Sequence, residues 1–241
     1  MKTIFVTGGA KRIGKAIIEL FAQDNWRVII HYNKSASEAE SLAERINAKN
    51  KDTAFVVTGD LDNTEDVQAI ISSVNRISET IDLLVNNASA FYPTPIEEIS
   101  NVHWEKLIGS NLKGPLFLIQ GFKEKLQASK GSIINITDTN LTKGVANYSI
   151  YSAAKAGLES ITKGLAKELA PEIKVNAIAP GAMLEPPDVT WTEEQKNKII
   201  ESIPLKKMGA EKDIAEIIYF LAHADYITGQ IIAVDGGRSL T

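Results

Sequence analysis

Short apolar runs alternate with longer amphipathic runs along the whole of this chain, and the alternation opens with a strand, a glycine-rich turn and a helix. That order limits the fold sharply. Parallel strands cannot be joined by a tight hairpin; each pair needs a crossover, and a helix is the usual one. Runs of strand type lie at Lys2–Thr7, Arg27–Tyr32, Thr53–Thr58, Asp82–Asn86, Ser132–Thr137 and Lys174–Ala179, and a last one leads from Gly229 into Asp235-Gly236-Gly237. Helical periodicity covers the stretch after Gly14, then Ser37–Asn47, Asp66–Ile77, Trp104–Leu126, Asn147–Leu169, Thr192–Ser202 and Glu211–Ala222. The expectation is an α/β architecture, a single doubly wound parallel sheet with helices on both faces. At 241 residues the chain fits one such domain, spanning 1–241, since α/β folds run to about 250 residues as a unit. Pro115 is expected to bend or weaken the helix Trp104–Leu126 near its middle.

Composition removes several classes of function. The net charge is −4 with no long run of one sign, which argues against a nucleic-acid partner or an anionic membrane surface. There is no cysteine, so disulfides, thiolate catalysis and cysteine-based metal sites are out. No cluster of His, Asp and Glu has metal-ligand spacing, and His31 sits within a strand as a packed residue. No apolar run reaches about 18 residues, so no membrane span is expected. The chain opens on a strand in place of a signal segment, and the simplest expectation is a soluble, cytoplasmic protein.

Thr7-Gly8-Gly9-Ala10-Lys11-Arg12-Ile13-Gly14 stands between the first strand and the first helix, the context that a dinucleotide-phosphate turn requires. Its backbone N–H groups and the helix start can receive a pyrophosphate, so Gly8, Lys11, Arg12, Ile13 and Gly14 are candidate cofactor residues. Arg12 stands where glycine is common; it either adds a fixed positive charge toward phosphates or substrate, or is a solvated arginine. NAD sites place an acid at the end of the second strand, about 20 residues past the glycines. Tyr32-Asn33-Lys34-Ser35 carries no carboxylate there, and Lys34 and Ser35 suit a 2′-phosphate, which points to NADPH unless Lys34 is only a loop charge. Asp60 and Leu61 are placed to flank an adenine, or Asp60 is a plain turn acid. Asn87, Ala88 and Ser89 are small residues at a strand's carboxyl end, where open α/β sheets bind ligands. Phe91 stands in the mouth of that site to stack on a flat ligand, or belongs to the core. Pro180 and Gly181 close the sixth strand, and residues 182–202 read as a lid that brings Met183 and Leu184 toward substrate.

Tyr151 and Lys155 are four apart on one helix, so they share a face. A phenol beside an ammonium is a proton-transfer device, and the lysine charge is expected to lower the tyrosine pKa from about 10. Asn111 is a poor helix former for an interior position, so its side chain is expected to act elsewhere, for instance on a water behind Lys155.

Together, Thr7-Gly8…Gly14, Asn86-Asn87-Ala88, Asn111, Tyr151-x-x-x-Lys155, Pro180-Gly181 and Asp235-Gly236-Gly237 resemble the short-chain dehydrogenase/reductase family over the whole chain. The resemblance implies a Rossmann sheet and a hydride transferred from a nicotinamide. It implies that Tyr151 donates the proton while Lys155 holds the ribose, and that the chain forms a homotetramer through the Trp104–Leu126 and Tyr148–Leu169 helices. One position departs from the family. A serine usually stands thirteen residues before the tyrosine, and here it is Asp138. An ionised carboxylate cannot donate to a carbonyl and repels a developing alkoxide. With the arginine-bearing turn, His31-Tyr32 and the run Asn86–Pro95, the Asp138/Tyr151/Lys155 set is similar to the pteridine reductases of the family. That similarity implies that Phe91 stacks on a pterin, that Ser89 and Arg12 bond the pterin or the cofactor phosphates, and that Asp138 and Tyr151 deliver a proton to ring nitrogen. The expected function is NADPH-dependent reduction of a dihydropterin, with dihydrofolate and oxidised pterins open as further substrates. The alternatives are a carbonyl reductase of 3-oxoacyl thioesters and a non-catalytic NADP(H)-binding regulator.

Overall fold

A computed structural model describes residues 1–183 and 191–241. It holds one seven-stranded sheet in the order β3-β2-β1-β4-β5-β6-β7, every neighbour parallel. The strands are β1 (Thr3–Val6), β2 (Arg27–Tyr32), β3 (Ala54–Thr58), β4 (Leu83–Asn86), β5 (Ser132–Ile136), β6 (Lys174–Pro180) and β7 (Ile231–Val234). The helices are α1 (Arg12–Gln23), α2 (Ala36–Asn47), α3 (Thr64–Ile77), α4 (Asn101–Ile108), α5 (Gly114–Ser129), α6 (Ser149–Glu168), α7 (Glu193–Glu201) and α8 (Glu211–His223). Strands β1, β4 and β5 are wholly buried, because helices cover both faces of the sheet. Successive residues of β1 serve the two layers. Ile4 and Val6 pack with Ile17, Phe21 and Ile214 from α1 and α8, while Phe5 packs with Ile70 and Phe122 from α3 and α5.

The chain runs outward from β1 to β3 and resumes on the other side at β4, so a crevice opens at the carboxyl ends of β1 and β4. Side chains staple its two walls. Thr7 Oγ1 accepts the backbone N–H groups of Asn87 at 2.9 Å and Ala88 at 3.0 Å. Asn87 Nδ2 donates back to the carbonyls of Thr7 at 2.9 Å and Gly8 at 3.1 Å. Behind the crevice, Asn86 Nδ2 donates to Asn135 Oδ1 at 2.8 Å, and Asn135 Nδ2 donates to Thr162 Oγ1 at 2.9 Å. That buried chain of amides sets the register of α6 over β4 and β5.

The stretch expected as one helix from Trp104 to Leu126 is three pieces. A π-turn, Gly109–Lys113, joins α4 to α5. Pro115 lies in the first turn of α5, directly after the π-turn, so the helical run is irregular next to the residue expected to bend or weaken it. The wider turn coincides with a close approach to the loop after β3. A Cβ on Gly109 would stand 2.6 Å from Asp62 Cβ, and one on Gly114 would stand 2.6 Å from the Leu61 carbonyl oxygen. Within this turn Asn111 is fully buried.

His31 is packed, as expected, and it shapes the first turn. Its Nδ1 accepts the Gly8 N–H at 3.2 Å, which leaves Nε2 to donate to the Gly59 carbonyl at 3.0 Å. Burial pushes its pKa from 6.5 down to about 4, against the opposing pull of the Gly59 carbonyl and the Asp60 charge. Between those two values the unfolded chain binds a proton that the folded chain does not. The contribution of His31 is therefore intact above pH 6.5 and is lost as pH falls toward 4. The loss is on the order of 3 kcal/mol. The unfolding midpoint should drop across that window, and more steeply in the native chain than in His31→Gln; parallel profiles would clear His31 of the effect.

Candidate active site

A cleft of roughly 880 Å³ occupies the crevice. Its walls include Gly8, Lys11, Arg12, Ile13 and Gly14 from the first turn, and Tyr32, Asn33, Lys34 and Ser35 from the end of β2. Asp60 and Leu61 follow from the end of β3, Asn87, Ala88, Ser89 and Phe91 from the end of β4, and Asp138, Tyr151, Gly181 and Met183 from the opposite side. Asn111, Lys155 and Pro180 stand behind this surface, and Leu184 lies outside the described residues, as does most of the expected lid loop.

The first turn fits a dinucleotide pyrophosphate. Gly8 has φ +61°, and a Cβ on Gly14 would sit 2.1 Å from the Gly8 carbonyl oxygen and 2.9 Å from Asn87 Nδ2. No side chain caps α1 and no acid lies in its first turn, so backbone N–H groups there are left for an anion. Arg12 itself has φ +50°, a left-handed conformation that costs a side-chain-bearing residue about 1–2 kcal/mol. That strain explains why glycine is common at this position; here Arg12 adopts it and lines the cleft wall. At the adenosine end, Ser35 is the N-cap of α2 but makes no capping bond with its side chain. The Asn33 side chain is hydrogen-bonded to Asp60. One acid there is invisible in the Tyr32–Ser35 run: Glu38, in the first turn of α2, pairs with Lys11 at 2.8 Å.

The opposite wall carries the reactive groups. Helix α6 places Tyr151 and Lys155 on one face, and Tyr151 donates its hydroxyl hydrogen to Asp138 Oδ2 at 3.0 Å. Lys155 is fully buried, donates to the Ile136 carbonyl at 2.8 Å, and lies 5.9 Å from the Tyr151 ring. Burial brings its pKa from 10.5 down to about 8, with Asp138 pulling the other way. The expectation that lysine lowers the Tyr151 pKa is reversed here. Burial, then the Asp138 charge and the bond to it, raise Tyr151 well above its ordinary value. The carboxylate is in contact with the hydroxyl, whereas the ammonium lies 5.9 Å from the ring centroid and is bonded to the Ile136 carbonyl. Asn111 turns its side chain to the segment after β4, outside its own helix. Its Nδ2 donates to the carbonyls of Ala90 and Leu107, both at 2.9 Å, and its Oδ1 accepts the Ser89 hydroxyl at 2.7 Å. Asn111 thus shapes the wall after β4, and Ser89 is engaged with it.

Phe91 is at the mouth, 49 % exposed, so it is no core residue. Tyr148 covers one side of it, stacked at 4.6 Å between centroids, and Tyr151 meets it edge-on at 4.9 Å. Sequence reasoning passed over Tyr148 as a site residue, though it stands one helical turn before Tyr151 and that spacing was a usable signal.

Residues 8–239 match the family model described as enoyl-(acyl carrier protein) reductase. The chain belongs to the short-chain dehydrogenase/reductase family and is an oxidoreductase on a Rossmann-type fold. It is similar to Pteridine reductase 1 of Leishmania tarentolae, 32% identical over 278 residues, covering 98% of this chain and 96% of that protein. It is similar also to the 3-oxoacyl-(acyl-carrier-protein) reductase FabG of Staphylococcus epidermidis, 35% identical over 240 residues, covering 98% of each. The FabG of Aquifex aeolicus is 35% identical over 240 residues, with 98% and 96% covered. Two kinds of relative stand equally near, so likeness alone does not choose a substrate.

The Gly14 contact yields a test of the cofactor half. Gly14→Ala must push aside the Gly8 carbonyl and the Asn87 side chain, at an overpacking cost of about 1–3 kcal/mol. Tryptophan fluorescence titration should show NADPH binding lost or severely weakened, together with a lower unfolding midpoint; native affinity in this variant would mean that the turn does not hold the cofactor.

Proposed function

We propose that this chain is an NADPH-dependent pteridine reductase that converts a dihydropterin to its tetrahydro form. The hydrogen bond from Tyr151 to Asp138, at 3.0 Å, carries the reading. A ketone oxygen gains negative charge on reduction and needs donors around it. Asp138 supplies an acceptor at that point. A C=N bond makes the opposite demand: hydride goes to carbon, a proton goes to nitrogen, and the N–H groups of an amino-bearing ring are donors that a carboxylate can accept.

When bound, the reduced nicotinamide supplies the hydride. The protein's residues do the rest. The Gly8–Gly14 turn and the uncapped start of α1 would hold the pyrophosphate, with Arg12 beside it. Lys34 and Ser35 would take the 2′-phosphate, with Lys11 shared between that phosphate and Glu38. Phe91 offers an apolar ring face at the mouth for a flat substrate. Tyr151, with its pKa raised, keeps its proton at neutral pH and is the donor. Asp138 orients that hydroxyl and receives donors of the ring, and Lys155, titrating at about 8, supplies an ammonium that offsets charge left on the phenol oxygen. A homotetramer is part of the proposal, supported by exposed Val102, Trp104 and Leu116 on α4 and α5. The second reading, a 3-oxoacyl-thioester reductase, has its support in the 35% identity to FabG.

Asp138→Ser separates the two. Dihydropterin turnover should fall by about a hundredfold while NADPH binding is unchanged and thioester turnover does not fall. Undiminished pterin turnover in that variant would remove Asp138 from proton delivery. Lys34→Asp should weaken NADPH by about tenfold or more and leave NADH nearly alone. A ratio of dissociation constants that stays put would take Lys34 out of the phosphate site.

A further inference from the structure

We propose that Asn140 is the positioning residue that aims the Asp138 carboxylate at Tyr151. The proposal rests on the reading of Asp138 and Tyr151 as the proton-delivering pair, and adds a third member to it.

The two oxygens of Asp138 have separate partners. Oδ1 accepts the backbone N–H of Asn140 at 2.7 Å and Asn140 Nδ2 at 2.9 Å. Oδ2 accepts the Tyr151 hydroxyl at 3.0 Å. A carboxylate rotates about its last bond in a broad, two-fold profile, so nothing within Asp138 decides which oxygen faces the phenol or at what tilt. The backbone bond is what any acid makes at the start of a short helical turn, here Thr139–Thr142. It tethers one oxygen and leaves the carboxylate plane free to swing about the tether. The side-chain donor comes from a second direction and fixes the plane. It also engages Oδ1 fully, so that Oδ2 is the acceptor left for the phenol. The turn carrying this donor is itself held. The Asn140 carbonyl accepts the N–H groups of Lys143 at 3.2 Å and Gly144 at 3.0 Å. Beside it, Thr139 Oγ1 donates to the Pro180 carbonyl at 3.2 Å. A donor mounted on a fixed turn is how a reactive side chain is kept in one geometry.

Three variants test the role. Asn140→Ala removes the side-chain donor and keeps the backbone amide. Asn140→Asp keeps the shape and presents an acceptor of like charge. Asn140→Ser restores a short donor. In the Ala variant kcat for dihydropterin should fall about tenfold with both KM values within about twofold. The Asp variant should fall further and the Ser variant should recover. The second readout needs no turnover: NMR of the Tyr151 ζ carbon, assigned by its disappearance in Tyr151→Phe. Losing the aimed acceptor should move that resonance at neutral pH and bring the alkaline titration of Tyr151 to lower pH, because Asp138 is one of the groups that hold it up. Tyr148, Lys155 and the Phe91 ring, which also face Tyr151, are the same in every variant. Unchanged kcat and an unmoved Tyr151 resonance in both the Ala and Asp variants would overturn the proposal, as would equal losses in all three variants. If the native chain reduced no pterin, the functional reading would fall, and the Tyr151 resonance would still decide for or against Asn140.

Discussion

The close contact between the first turn and the end of β4 is the constraint on which the site depends. There is no room for a Cβ at position 14, and the threonine–asparagine exchange of four hydrogen bonds uses up the polar groups that the approach brings together. Because β1 and β4 lie side by side at the reversal of strand order, the same contact brings together the glycine turn and the segment after β4, 80 residues apart in sequence. His31 extends it to the next strand by taking the Gly8 N–H. Polar groups buried in this way leave few alternatives, since each would be costly without its partner.

On the other wall, the proposed chemistry turns on the surroundings of Tyr151. Burial first, and then the aspartate in contact with it, hold the phenol's pKa up, while the ammonium of Lys155 is spent on a backbone carbonyl. The carboxylate in contact with that hydroxyl is what the proposed substrate reading rests on.

Much of this was legible in the sequence where the information is local. Strand β2 falls on the expected residues 27–32, because a short apolar run beside turn residues has few other readings. Helix α7 falls within the expected Thr192–Ser202, with Thr192 capping it in a capping box with Gln195. Tyr151 and Lys155 share a face because four residues make about one turn. What escaped depends on approach between distant segments. The π-turn at Gly109–Lys113 answers to the neighbouring Asp62 loop, and the Lys11–Glu38 pair joins two helices. The direction of the Tyr151 shift escaped for the same reason: spacing identifies a neighbour and says nothing of burial or of which partner the ammonium prefers. Asn140, two residues from Asp138, was near enough to notice, but its donor matters only once the tyrosine is seen on the other oxygen.

The central claim is that the carboxylate beside Tyr151 selects C=N over C=O. The most direct measurement is oxidation of NADPH by the purified chain with a dihydropterin and with a 3-oxoacyl thioester at matched concentrations. The account predicts turnover of the dihydropterin and little or none of the thioester. Efficient turnover of the thioester with the pterin untouched would contradict it, and would mean that Asp138 leaves the phenol when a substrate enters.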